Sequence, residues 1–137
     1  MPILEKYHKN GKIRLRQVTP DADIRTDSLT KWYDTGVLMV HAEFTREGNN
    51  TIREYDPAGR LMAEEVVIGL IGERVCFYET GEVKSRVGLD NGEIHGTAID
   101  YSKDGKVMDI QYWMRGRQVD EATWKKEQDT HKDVTGT

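Results

Sequence analysis

Residues 77–83 read FYETGEV, and residues 100–107 read DYSKDGKV. Aligned on the tyrosine, the phrase recurs five times: YHKNGKI from Tyr7, YDTGVL from Tyr33, YDPAGRL from Tyr55, YETGEV from Tyr78 and YSKDGKV from Tyr101. Three or four positions after each tyrosine comes a glycine: Gly11, Gly36, Gly59, Gly81 and Gly105. Two positions beyond it stands an aliphatic residue: Ile13, Leu38, Leu61, Val83 or Val107. A near-constant period in the twenties is the signature of a repeat architecture.

Each unit reads as a hairpin. The residues between tyrosine and glycine are turn formers, and the glycine supplies the positive φ that a tight turn needs. Segments such as RLMAEEVV (60–67) and KVMDIQYW (106–113) read as strands. A second glycine (Gly48, Gly72, Gly92 or Gly116) marks the opposite turn, and TIREY, RVCFY and TAIDY lead back to the next tyrosine. The expected fold is therefore all-β: an elongated, twisted antiparallel meander of about five β-hairpin repeats. One face should be packed and the other mostly wet.

The whole chain, 1–137, is expected to form a single repeat domain, with repeats over 5–118. Residues 17–31, rich in Asp, Thr and Pro, read as an insertion or irregular strand. VDEATWKKEQ (119–128) reads as a short C-terminal capping helix. Asp120 is its expected N-cap and Glu121 suits the helix dipole, while Val119 and Trp124 are placed as a hydrophobic staple. Residues 129–137 are expected to be a mobile tail.

Composition agrees with a thin fold. Charged residues make up 32% and apolar ones 36%, yet eleven aromatics (two Phe, three Trp, six Tyr) argue against disorder. Net charge is −4, so the broad basic footprint of a nucleic-acid binder is missing. The run KYHKNGKIRLR (6–16) is locally basic and reads as a solvated or protected edge strand. A single cysteine excludes an internal disulfide, the opening residues lack a signal-peptide core, and no window is apolar enough to span a membrane. The expected location is cytoplasmic.

The recurrent tyrosine, glycine and aliphatic residue, with a second glycine half a period later, resemble the MORN-repeat family. They are most similar to the short bacterial variant found in antitoxin-like proteins. The resemblance covers roughly residues 5–118 and implies a twisted hairpin sheet acting as an interaction module. The further Gly-x-Gly element of longer MORN repeats is present only as scattered candidates, Gly69 with Gly72 and Gly92 with Gly96. KWYDTGVLMV also resembles a choline-binding cell-wall repeat, whose aromatic cages need a Trp-Tyr pair in several units. Here the residues before the five tyrosines are Lys6, Trp32, Glu54, Phe77 and Asp100, so only one unit has the pair.

No catalytic residue, metal site or cofactor is expected. His8, His41, His95 and His131 show no ligand spacing, and Cys76 reads as strand filler. Glu64 and Glu65 are strand neighbours that face opposite ways. Asp21, Asp23 and Asp27 lack the spacing of a calcium loop, and Asp90, Asn91, Glu93 and His95 read as a turn around Asn-Gly. The aromatic and arginine residues that the repeat does not require, Trp32, Tyr112, Trp113, Arg115 and Arg117, are the candidate contacts for a protein partner. Occlusion of that partner by the sheet face, as an antitoxin, immunity protein or inhibitor would do, is the expected role. The alternatives are phospholipid-headgroup or nucleic-acid binding through the basic N-terminal strand, or self-assembly through a sheet edge.

Overall fold

A computed structural model describes residues 3–19, 26–45 and 47–134 of the chain, without the side chains of 26 and 129–134. Eleven strands follow in order: β1 (Ile3–Tyr7), β2 (Ile13–Val18), β3 (Thr26–Trp32), β4 (Leu38–Thr45), β5 (Asn50–Tyr55) and β6 (Leu61–Ile68). Then come β7 (Ile71–Phe77), β8 (Val83–Asp90), β9 (Glu93–Tyr101), β10 (Val107–Met114), β11 (Arg117–Val119) and a helix, α1 (Glu121–Val134). All eleven strands form one open sheet in which each pairs antiparallel with its neighbour in the chain. The fold is the all-β hairpin meander expected from the repeat.

The repeat glycines close one kind of turn five times. Each glycine N–H donates to the carbonyl three residues back, at His8, Tyr33, Asp56, Tyr78 or Ser102. The N–H of that same residue donates to the carbonyl just past the glycine. The five glycines have φ between +87° and +99°, a region that L side chains enter only with strain. A turn that ends in such a glycine adds a bulge to the ladder. The ladders accordingly shift register beside each turn, at Lys6/Tyr7, Lys31/Trp32, Glu54/Tyr55, Cys76/Phe77 and Val107/Asp109.

These turns set the structural register of the repeat by glycine, not by tyrosine. Four residues before each glycine stands an aromatic: Tyr7, Trp32, Tyr55, Phe77 or Tyr101. Tyr33 and Tyr78 lie one position later, at the first residue of their turns. The five tyrosines therefore occupy two different places, and Trp32 is a repeat residue rather than an extra one.

Among the second glycines, Gly48, Gly92 and Gly116 have the positive φ of turn residues. Gly72 does not mark a turn. It is the second residue of β7, opposite Val67, and the hairpin instead turns at Gly69-Leu70 between the paired Ile68 and Ile71. Gly69 supplies the positive φ (+68°) at the first turn position, the Gly-x choice for a two-residue loop. Gly72 answers to a different need. A Cβ there would stand 2.3 Å from the Val66 carbonyl oxygen, so only glycine lets the two strands cross so closely.

Residues 17–31 are less irregular than expected. Gln17 and Val18 end β2, and residues 26–31 belong to β3, where Leu29 alternates into register with Gln17 and Ala42. Residues 20–25, with Asp21 and Asp23, lie outside the described part. Asp27 is in β3, opposite Phe44.

The packed face is thin. Cross-strand partners share a face, which joins Leu15, Lys31, Val40, Glu54, Ala63, Cys76 and Ser85 in one row. The next row joins Leu29, Ala42, Ile52, Glu65, Arg74, Val87 and Ala98. Only Ala42 and Ala63 are buried apolar residues among those described, each 3% exposed. Glu54 and Arg74 form a 2.9 Å ion pair that spans β5 to β7 on this face, where β6 offers only the methyl of Ala63. On the opposite face lie the cross-strand pairs Arg53–Glu64 (2.8 Å) and Arg86–Glu73 (2.5 Å).

The helix departs from expectation in length. Its start at Glu121, just behind the expected N-cap Asp120, is as read, with Val119 of the 119–128 segment outside the helix and paired with Tyr112 in β11. It continues, however, to Val134, so residues 129–134 of the expected tail are helical. No glycine or proline interrupts residues 121–134, which leaves nothing to stop the helix at 128. Residues 135–137 lie outside the described part.

Candidate interaction surface

The helix closes a groove against the sheet. Asp120 caps its first turn: the Thr123 N–H donates to Asp120 Oδ1 at 2.7 Å. The Thr123 hydroxyl and N–H together hold the Asp120 carboxyl below its ordinary range. A cap fixed at the end of β11 sends α1 back over β10, where Trp124 packs 6.4 Å from the ring of Tyr112. The ring of His95 meets Trp124 edge-on at 5.6 Å.

His95 reaches that position because β9 bulges. Val87 pairs with Ala98, but the next pair is Leu89 with Ile94. Gly88 makes the bulge fit, since a Cβ there would stand 2.4 Å from the His95 carbonyl oxygen. The Arg115 N–H donates to His95 Nδ1 at 3.1 Å, which ties the β10–β11 turn to the bulge and requires an unprotonated Nδ1. Arg115 itself has a φ of +50° in that turn.

The resulting groove has a volume of about 1,050 Å³. Leu89, Met114, Val119 and Trp124 line its apolar part, while Asp90 and Glu127 carry negative charge and Arg115 and Arg117 positive charge. At its rim Ile71 joins an apolar hairpin tip that solvent reaches freely: Ile68, Leu70 and Ile71 are 70%, 60% and 69% exposed. Two hydrogen bonds hold the tip in place, from Asn91 N–H to the Leu70 carbonyl and from Gly69 N–H to Asn49 Oδ1 (2.8 Å each).

The candidate partner contacts do not form one patch. Arg115 and Arg117 line the groove, and Tyr112 lies behind it against Trp124. Trp113 follows Tyr112 on the same strand and so faces the other side of the sheet, with Nε1 donating to Gln111 at 3.3 Å. Trp32 is at the far end of the sheet on β3. The Arg16 guanidinium lies 5.7 Å above its ring, and its carbonyl is 2.9 Å from His8 Nε2. Sequence reasoning placed Trp124 in a staple and passed over Ile68, Leu70 and Ile71, although IGLI in so polar a chain was a visible signal.

Part of the basic N-terminal run joins the first two hairpins, through Lys12 and Asn10, while Arg16 pairs within its own hairpin. Lys12 Nζ donates to the Thr35 carbonyl (3.3 Å), Asn10 to the Asp34 carbonyl (2.8 Å), and Arg16 pairs with Glu5 (3.3 Å). His41 lies between Thr30 Oγ1 and Glu43. Cys76 is half-buried on the packed face, and the side chain of His131 lies outside the described part. Among the described residues no cluster of three or more His, Cys, Asp or Glu could hold a metal ion, and no helix is long and apolar enough to cross a membrane. No family model and no curated protein matches this chain.

Proposed function

We propose that this chain is a MORN-like repeat protein acting in the cytoplasm as a non-enzymatic protein-binding module. The observation that carries the reading is the apolar tip of Ile68, Leu70 and Ile71 beside the groove under α1. Exposed apolar clusters beside a polar rim mark interaction sites, and this one stands on a chain with few apolar residues to spare. Five equivalent aromatic–glycine turns build the scaffold, and the surface that the repeat does not use for itself is left for a partner. The partner would present an apolar ridge to the groove and charges opposite to those of Arg115, Arg117, Asp90 and Glu127. Occlusion by such docking would suit an antitoxin, immunity protein or inhibitor.

Affinity capture from the lysate of the natural host tests this, with the wild type beside a Leu70→Glu/Ile71→Glu variant. One stoichiometric protein is expected to remain at physiological salt and to be lost with the variant. Capture of nucleic acid or lipid alone, falling steeply with salt, would replace this reading with ligand binding by the basic N-terminal strand.

A further inference from the structure

The two edges of the sheet are built differently. At one edge β11 is three residues long, and the chain passes through Asp120 straight into α1. At the other, β1 has five residues and every one of them is exposed, including Ile3 (44%), Leu4 (49%) and Tyr7 (58%). Among the described residues β1 has a neighbour on one side only, so its outer backbone groups are a template for another strand. No proline interrupts it, and its single register shift falls at its end, between Lys6 and Tyr7.

We propose that β1 pairs antiparallel with β1 of a second copy about a two-fold axis at Glu5, joining two sheets into one. The unlike edges decide the stoichiometry. Pairing β1 with β11 would repeat without end, but β11 offers only three residues before α1 begins. Pairing β1 with β1 consumes both open edges and closes at two.

The side chains select the register. Centred on Glu5, all five residues of β1 are used, with Ile3 opposite the partner copy's Tyr7 and Leu4 opposite its Lys6. Ile3, Glu5 and Tyr7 share one face, and the Lys6 stem covers Leu4 on the other. Centring on Lys6 sets two lysines against each other, and centring on Leu4 leaves Ile3 opposite a glutamate and Tyr7 unused. At the chosen centre two Glu5 carboxylates meet, but each lies 3.3 Å from its own Arg16, so the row of four charges is neutral. The groove under α1 stays free in this dimer, which therefore stands or falls apart from the function proposed above.

Sedimentation of the full chain over a dilution series tests the dimer, beside an Ile3→Lys/Tyr7→Lys variant. The wild type is expected to dimerise and the variant to do so about tenfold more weakly or less, since both apolar cross-strand pairs are lost. A second measurement does not depend on that variant folding. In a Cys76→Ser background, Glu5→Cys places two thiols on the axis, within about 4.5–5.5 Å between Cα atoms, close enough for a disulfide. Mild oxidation should link Glu5→Cys into a covalent dimer and leave Lys12→Cys unlinked. A wild type that stays monomeric, a dimer abolished by Leu70→Glu, or failure of Glu5→Cys to cross-link would overturn the proposal.

Discussion

The hydroxyl of Tyr33 donates to the main-chain carbonyl of Tyr55 at 2.8 Å, and one double unit later Tyr78 does the same to Tyr101 at 2.7 Å. His8, at the corresponding first turn position, has Nε2 2.9 Å from the Trp32 carbonyl. In each case a residue three before one glycine meets the carbonyl four before the next. At Asp56 and Ser102 the same position caps its own turn instead: Asp56 accepts from the Ala58 and Arg60 N–H groups, and Ser102 accepts from Lys106. Three of the five turns, at His8, Tyr33 and Tyr78, thus tie two units together, and the two at Asp56 and Ser102 hold themselves.

Tyr33→Phe and Tyr78→Phe should each cost about 0.5–1.5 kcal/mol, the net worth of one hydrogen bond. Their effects should add in the double variant, because the two bonds share no partner. Tyr55→Phe keeps the carbonyl that accepts from Tyr33 and should cost less than Tyr33→Phe. Urea midpoints of these four variants against the wild type check this, and a Tyr55→Phe loss as large as that of Tyr33→Phe would contradict it.

Asp56 brings in pH. The Arg60 N–H, then the Arg60 guanidinium at 2.8 Å, hold its carboxyl below the ordinary carboxylate range against the opposing effect of burial. A depressed folded-state value means stability that is present above the unfolded value of about 3.9 and is lost as pH falls through the folded one. Thermal melts should therefore decline on acidification below about pH 4, and Asp56→Asn should melt lower at neutral pH with a shallower acid decline. An identical acid slope in both proteins would rule Asp56 out as the source.

Glycine substitutions should separate two kinds of requirement. Gly11→Ala meets no atom within 4 Å and bears only the strain of its φ, about 1–2 kcal/mol. Gly72→Ala and Gly88→Ala force a methyl against backbone oxygens at 2.3 and 2.4 Å, so the strands themselves must move. Both should be more destabilising than Gly11→Ala in denaturant unfolding.

The apolar tip should be dispensable for folding. Because Leu70 and Ile71 are mostly exposed, Leu70→Glu/Ile71→Glu should change stability by no more than about 0.5 kcal/mol per site. A larger loss by calorimetry would mean that the tip belongs to the core.

The hairpin order was legible because glycine turns and strand alternation are local signals. The register was legible only in part. Tyrosine is the conspicuous letter, yet it stands at two positions, and the Tyr-to-Gly gap of four, three, four, three and four residues already recorded this. Gly72 was misplaced because a glycine that permits close strand crossing looks in sequence like one that turns the chain. The groove was not legible at all. It depends on the β9 bulge and on α1 folding back over β10, and both set distances between residues far apart in the chain.

The sequential strand order has a consequence for synthesis. Every strand of the sheet pairs with the strand made just before it, so no segment must wait for a distant partner to leave the ribosome. Each hairpin closes through a short loop, which takes microseconds, while translation adds only about 5–20 residues per second. The sheet can therefore grow at the pace of elongation, with the newest strand always forming its exposed edge, until β11 and α1 end the growth.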